Sequence, residues 1–196
     1  MDEMVLQAMA KWPQVPACRG WLGLDGRGDW YLRDDAAQAA GPFRTPDQGA
    51  GTPAARGSRL THDKLIAFIG RNYAPDELGQ WFFQNGPQRV YVELQFAPWV
   101  WRVTDLGAST VRSHTGVDSP VLSTLLDDSG HVYLETEMGF GLVHSQDVWQ
   151  AAQAIEAGVF PSPQNVRRAE LPHRYGYVLS PAEWALQPAP SGGNRP

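Results

Sequence analysis

The chain has 196 residues, with 16 Lys and Arg against 21 Asp and Glu, and a formal net charge of −5. This length suits one domain, or two small lobes, with a real core. A mildly acidic chain without clustered cations argues against a nucleic-acid partner. The single cysteine, Cys18, excludes an internal disulfide framework and fits a reducing compartment.

The N-terminus begins with the acidic sequence MDEM, where a secretory signal would carry cations. No window approaches the roughly 20 apolar residues of a membrane helix. We therefore expect a soluble, cytoplasmic protein with no membrane partner, and its oligomeric state stays open.

Eight Trp, six Tyr and seven Phe occur mostly in strand-like runs, and 20 Gly with 16 Pro indicate many turns. The chain opens with a short helix over residues 5–12, which Pro13 stops. A hairpin over residues 20–33 follows, with Asp25 and Gly28 at the first and fourth positions of its turn.

Residues 36–57 are rich in Ala, Gly and Pro, and Phe43 is their only large apolar residue. Such a segment buries too little surface to offset its ordering entropy, so we predict a flexible loop. An inserted surface loop is favoured over a functional one, although functional loops do reach this length. A helix over residues 61–70 comes next, with Thr61 predicted as its N-cap.

The central segment predicts strands at 80–84, 88–96 and 99–103. Alternation along the second of these strands predicts a dry face and a wet face, with Arg89, Tyr91 and Glu93 on the wet side. Further strands are predicted at 121–126, 131–135 and 140–144. A helix over 147–157, capped by Ser145 or Asp147, a last strand at 175–179 and a short helix after Ser180 complete the prediction.

Three stretches share one pattern, in which a D-x-x-G turn precedes an apolar strand. Asp25, Asp76 and Asp127 are spaced 51 residues apart, as are Gly28, Gly79 and Gly130. The pattern predicts a β-rich α+β fold, built from internally repeated antiparallel β-meander units of about 51 residues with a few packing helices.

The predicted division has three parts. Residues 1–105 form an N-terminal lobe of hairpin, flexible loop, helix and meander. Residues 106–186 form a C-terminal lobe of meander, helix and last strand. Residues 187–196 are rich in Pro, Gly and Ser and are predicted to be a disordered tail.

Short patterns over residues 20–145 resemble bacterial families classed as domains of unknown function. They are GDWY at 28–31, the amphipathic helix at 60–69, GQWFF at 79–83, VYVE at 90–93 and APWV at 97–100. The resemblance implies a repeat-built α+β fold and a sensing or signalling role. It supplies no catalytic residues, and the 36–57 segment and the part after Ser145 lie outside it.

No metal or cofactor motif is present, because the five histidines form no H-x-x-x-H pair and no C-x-x-C exists. Polar residues of the predicted wet face, with neighbouring cations and histidines, are the candidates for binding a ligand between lobes. These candidates are Arg71, Arg89, Tyr91, Glu93, Arg102, Arg112, His114 and His144. The alternatives for them are a solvated sheet face and a polar loop at 112–119.

The leading hypothesis is a non-enzymatic regulatory module that binds a small molecule or a protein partner. The first alternative is a hydrolase whose base is His114 or His144. The second alternative is an assembly protein that pairs through sheet edges.

Overall fold

The computed structural model describes residues 1–45 and 50–186, which form an α+β fold with many strands and short helices, as predicted. The helices of these residues are α1 (Glu3–Lys11), α2 (Asp35–Ala39), α3 (Pro53–Arg56), α4 (Asp63–Arg71), α5 (Val148–Glu156), α6 (Leu171–Arg174) and α7 (Pro181–Leu186), with a 3-10 turn at Arg168–Glu170.

Six of the described strands form the first sheet: β1 (Cys18–Leu24), β2 (Trp30–Leu32), β3 (Ser58–Arg59), β4 (Tyr73–Pro75), β5 (Trp81–Asn85) and β6 (Gln88–Leu94). They lie in the order β3-β2-β1-β6-β5-β4. Strands β1 and β6 are parallel, whereas the other neighbours are antiparallel. The sheet therefore joins two antiparallel units through its two central strands.

The second sheet, as far as the chain is described, also has six strands: β7 (Trp99–Arg102), β8 (Thr110–Ser113), β9 (Asp118–Asp127), β10 (Val132–Thr136), β11 (Gly139–Val143) and β12 (Gln164–Val166). Strands β7 to β11 pair antiparallel in succession, and β11 returns to pair parallel with β7. These five strands thus close a barrel, and β12 adds to it alongside β9.

One apolar core runs from the first sheet into the barrel. Trp30 and Leu94 of the first sheet belong to the same buried cluster as Trp101 and Leu134 of the barrel. The chain passes from the first sheet into the barrel between β6 and β7, before the predicted lobe boundary at 105/106. The division into lobes stays a prediction, but β7 belongs with the barrel.

The three D-x-x-G stretches form turns with the same hydrogen bonds, as their residue types predict. In each turn the Asp Oδ1 accepts two backbone N–H groups, from the residues two and four positions later. The glycines share a left-handed backbone, with φ of 80°, 75° and 84° at Gly28, Gly79 and Gly130. The hairpins around these turns differ, since two belong to the first sheet and one to the barrel.

The described part of segment 36–57 differs from the unstructured loop predicted there. It contains α3 and most of α2, and Phe43 is 1% exposed. The guanidinium of Arg33 fixes this segment by donating to the carbonyl oxygens of Ala55, Ala37 and Gly41, and to that of Gly20 on β1. Residues 46–49 lie outside the described chain.

The predicted wet face of β6 is wrong beyond Arg89. Tyr91 and Glu93 are buried because the Arg19 guanidinium lies 4.2 Å from the centre of the Tyr91 ring and α7 packs on this strand. Glu93 accepts hydrogen bonds from the Ser180 hydroxyl and the Ala182 backbone N–H.

Two local predictions near the ends of elements are also wrong. His62 rather than Thr61 caps α4, since its Nδ1 accepts the Leu65 N–H. Residues 175–179 form no strand, and a three-residue strand lies earlier, at β12. The helix predicted after Ser180 is confirmed as α7, with the Ser180 hydroxyl accepting the Glu183 N–H. The predicted tail, 187–196, lies outside the described residues.

Candidate functional site

A cavity of about 480 Å³ lies where the first sheet meets the barrel. The β1–β2 turn, β2, α3 and β3 supply one side of it, and β10, β11 and α5 supply the other. Neither sheet alone encloses this space. Meeting points of structural units are a common location of ligand pockets.

The first-sheet wall of the cavity is built around the Asp25 turn. Oδ2 of Asp25 lies 2.7 Å from a guanidinium nitrogen of Arg56, the last residue of α3. That guanidinium also lies over the Tyr31 ring, 4.3 Å from its centre. Burial, together with the charge of Asp25, raises the pKa of Tyr31. The turn, β2 and α3 are therefore tied together at the cavity wall.

Positive charge exceeds negative charge among the residues of this wall. Arg59 pairs with Asp29 at 2.9 Å, and both side chains remain partly open to solvent. Arg27 also lines the cavity and forms no ion pair with any described residue. Three arginines thus face two aspartates, which leaves a local field favourable to an anion.

The barrel side of the cavity is mostly apolar. Its lining includes Val132 of β10, Leu142 and Val143 of β11, and Val148 of α5. Phe96, which follows β6, closes the same space, with its ring centre 4.9 Å from that of His131. The cavity therefore offers cationic and hydrogen-bonding groups on one side and hydrocarbon on the other.

His131 is the titratable side chain that the barrel contributes to the cavity lining. Its Nδ1 lies 3.1 Å from Oδ2 of Asp127, which also accepts the Tyr133 hydroxyl. The carboxylate fixes the orientation of the imidazole and leaves Nε2 for other contacts.

A family model described as "Protein of unknown function (DUF2946)" matches residues 1–182. The chain belongs to this family. The predicted resemblance to families of unknown function is confirmed at that level. No curated protein matches the sequence.

Two crystal structures of DUF1285 family proteins are similar to this fold. One, from Silicibacter pomeroyi DSS-3, has 10% identity over 67% of each chain and a TM-score of 0.42. The other, from Shewanella baltica OS155, has 15% identity over 71% of this chain and 95% of that chain, with a TM-score of 0.47.

The eight site residues predicted from sequence are dispersed, and none of them lines the 480 Å³ cavity. Arg71 pairs with Asp2 near the N-terminus. Arg89 lies over the Phe82 ring, 4.7 Å from its centre, and Tyr91 donates its hydroxyl to Asp76. Glu93 lies beneath α7, where burial raises its pKa against the opposing hydrogen bonds from Ser180 and Ala182.

Three of the predicted residues do come together, because Arg102, Arg112 and His114 line a shallow depression of about 420 Å³. Arg102 is held by Asp147, with Nε 2.5 Å from Oδ2, and Arg112 is paired with Asp118. The Asp147 side chain makes no hydrogen bond to the N-terminus of α5, as a cap would, and accepts the Val103 N–H instead.

The two histidines of the hydrolase alternative have no carboxylate or hydroxyl hydrogen-bond partner among the described residues. Nδ1 of His114 accepts the Val100 N–H, and burial lowers the pKa of this imidazole to about 3. Nδ1 of His144 accepts the Gln146 N–H, and burial with the nearby Arg102 charge lowers its pKa. Burial thus disfavours the protonated form of both imidazoles, and the role of either histidine as a base stays a prediction.

Sequence reasoning missed the cavity residues Tyr31, Arg56, Arg59 and His131. The sequence signals for them are the Asp25 turn and Arg56 near the end of segment 36–57, but the D-x-x-G pattern predicts only a turn and the composition of the segment predicts a surface loop. Within residues 1–45 and 50–186, no three His, Cys, Asp or Glu side chains are grouped as a metal site. No helix in the same ranges is long and apolar enough to cross a membrane.

Proposed function

We propose that the protein is a non-enzymatic binding module whose 480 Å³ cavity takes a small organic anion. One observation carries this proposal: a guanidinium-rich wall faces an apolar wall across a single cavity. Its volume lies within the roughly 300–1,000 Å³ range of ligand pockets.

The lining suggests which ligand chemistry fits. Arg27 has no carboxylate to neutralise it in the described chain, so it is available to an acidic group of the ligand. Leu142, Val143 and Val148 suit a hydrocarbon or aromatic portion. An acid with an apolar body satisfies both walls, whereas a strongly polar neutral molecule leaves the apolar wall unused.

A signalling role fits such a module, since a ligand in this position would touch both the first sheet and the barrel. Binding would then bias how the two sheets pack, and a protein partner could read that change. We also propose that the three D-x-x-G hairpins derive from a repeated unit of about 51 residues. The cytoplasmic location remains part of this proposal and rests on the sequence.

A thermal-shift screen with matched pairs of compounds tests the binding function. Each pair consists of an apolar carboxylic acid and its neutral amide. We expect acids to raise the melting temperature of the native sequence more than their amides do, and Arg27→Gln to abolish this difference, because Arg27 is the cation of the lining that forms no ion pair with a described residue. Lys64→Gln, which removes an exposed cation on α4, is the matched control. Equal responses to acids and amides, or an undiminished response in Arg27→Gln, would count against the proposal.

A second candidate is hydrolase chemistry, favoured by the His131–Asp127 pair in the cavity lining. The carboxylate would orient His131 as a general base towards a bound ester or amide. A panel of chromogenic esters tests it. Turnover that His131→Gln leaves intact would exclude His131 as the base.

Assembly through sheet edges remains the third proposal. The edge strands of the first sheet are short, with two residues in β3 and three in β4, and short edges discourage pairing. A monomer by light scattering would remove the version in which copies of this chain pair.

A further inference from the structure

A second cavity, of about 350 Å³, adjoins the first one on the other side of Phe96. Phe96 and Gln95 line both spaces. Most of the remaining lining of the second cavity comes from the segment after α2, the Asp127 turn and the chain around α6, and Tyr133 of β10 and Leu179 complete it. The two cavities share a wall but have different arginines.

Arg44 and Arg168 both line this second cavity. Nε of Arg44 and Nη2 of Arg168 are shielded from solvent and have no hydrogen-bond partner among residues 1–45 and 50–186. Neither guanidinium forms an ion pair with a described residue. Buried charged donors without acceptors are costly, so a ligand that supplies acceptors gains more here than at an exposed arginine.

The two guanidiniums act on each other through their charges. The pKa of Arg44 is lowered mainly by burial and to a smaller extent by the charge of Arg168. Arg168 is held over the Phe96 ring, 4.6 Å from its centre. Of the carboxylates, Asp128 lines this space, and its Oδ1 accepts the backbone N–H of Arg168. The charges of Glu183 and Glu93 act in the opposite direction and raise the pKa of Arg44.

We propose that the second cavity is an oxyanion site, in which Arg44 and Arg168 together bind the phosphate or carboxylate group of a small aromatic or apolar molecule. Guanidinium groups are planar forks whose paired N–H donors match both kinds of oxyanion. The same cavity is lined by Phe96, Leu171, Leu179 and Tyr177, which suit an apolar body.

This inference goes beyond the proposed function of the larger cavity. Arg44 and Arg168 do not line that cavity, and Arg27 does not line this one. Loss of binding in variants of Arg44 and Arg168 is therefore a separate result from the acid-and-amide comparison with Arg27→Gln.

The test uses phenyl phosphate, benzoate and inorganic phosphate as probes, with phenol as the neutral control. Binding is measured by calorimetry, and the Nε–H signal of Arg44 is followed by NMR after assignment with Arg44→Gln. We expect phenyl phosphate or benzoate to bind and to shift that signal, and phenol to have no effect. The stronger of the two anions identifies the preferred acid group.

Arg44→Gln and Arg168→Gln should each weaken the binding of that anion by about tenfold or more, since each removes a charge-assisted hydrogen bond. Arg167→Gln is the matched control, because Arg167 is exposed and paired with Glu170. Arg168→Lys, which keeps the charge but loses the fork, guards against a folding defect and should bind with intermediate affinity. Absence of binding by all three anions, binding that Arg44→Gln and Arg168→Gln leave unchanged, or equal weakening in Arg167→Gln overturns the inference.

Discussion

Arg56 donates a hydrogen bond of 2.7 Å to Oδ2 of Asp25, and this bond joins the end of α3 to the turn between β1 and β2. The Asp25 side chain is 7% exposed and the Arg56 side chain 23%. The pair is thus better shielded than the neighbouring Arg59–Asp29 pair, whose side chains are 59% and 29% exposed. Shielding makes the first pair the stronger structural link.

Asp25→Asn should therefore destabilise the protein more than Asp29→Asn. The first change keeps an acceptor for the turn but removes the charge facing Arg56, at an expected cost of about 1–3 kcal/mol. The second change affects an exposed pair and should cost less than about 1 kcal/mol. Urea midpoints of the two variants provide the comparison. A larger loss of unfolding free energy in Asp29→Asn would contradict the conclusion that the Asp25–Arg56 pair is the stronger link.

Arg33→Met should destabilise the protein and release segment 36–57. Arg33 is 3% exposed, and its guanidinium serves four carbonyl oxygens, three of them in that segment. Leaving these acceptors without donors should cost about 2–4 kcal/mol. Chymotrypsin should then cleave after Phe43, which is 1% exposed in the native protein. Arg59→Met, at an exposed site on β3, is the control, and equal cleavage in both variants would refute the role of Arg33.

Gly79→Ala should be much more damaging than Gly130→Ala, although both glycines have a left-handed backbone. That conformation costs any L-residue about 1–2 kcal/mol at either site. A Cβ at Gly79 would also lie 2.1 Å from the Gly176 carbonyl oxygen, whereas a Cβ at Gly130 meets no atom of the described chain within 4 Å. The clash should add roughly 1–3 kcal/mol. Thermal denaturation of the two variants tests this difference, and equal losses would show that the contact is unimportant.

His114 should make the protein less stable in mild acid. Its ring lies against Trp30, Tyr73 and Trp99, and burial lowers its pKa from 6.5 to about 3. Between these two values the unfolded chain binds a proton that the native state does not. The stability that depends on His114 staying neutral is therefore fully present above pH 6.5 and is lost as the pH falls towards 3.

Urea midpoints of native protein and His114→Phe at about pH 7 and about pH 5 test this expectation. The native protein should lose about 2 kcal/mol more than the variant over that interval. Carboxylates titrate in both proteins and cancel in the comparison. An identical pH dependence in the two proteins would show that the pKa of His114 is not lowered in the native state.

Local patterns predicted the hairpin turns and most strands of this protein. Asp76 and Gly79 specify their turn through hydrogen bonds within five residues, so the sequence alone contains the necessary information. The helix after Ser180 was predictable for the same reason. Segment 36–57 was not, because the groups that order it include Arg33 outside the segment and the packing of Phe43 against β1.

The candidate site could not be predicted from the sequence for a related reason. Asp25, Arg56, His131 and Leu142 come from widely separated parts of the chain and meet where the first sheet contacts the barrel. The wet-face prediction failed at Tyr91 and Glu93 because α7, from the end of the described chain, covers that strand. Alternation reports polarity along a strand, but it carries no information about which distant segment covers it.

The four hydrogen bonds of the Arg33 guanidinium have a consequence for how this protein can diversify. The guanidinium holds only main-chain oxygens, which every amino acid possesses. Exposed side chains along the described part of segment 36–57 can thus change while its path is retained, whereas Phe43, which packs against β1, cannot. That segment supplies Arg44 to one cavity and Arg56 to the other. Substitutions there can alter the chemistry of both cavities while the sheet and the barrel stay as they are.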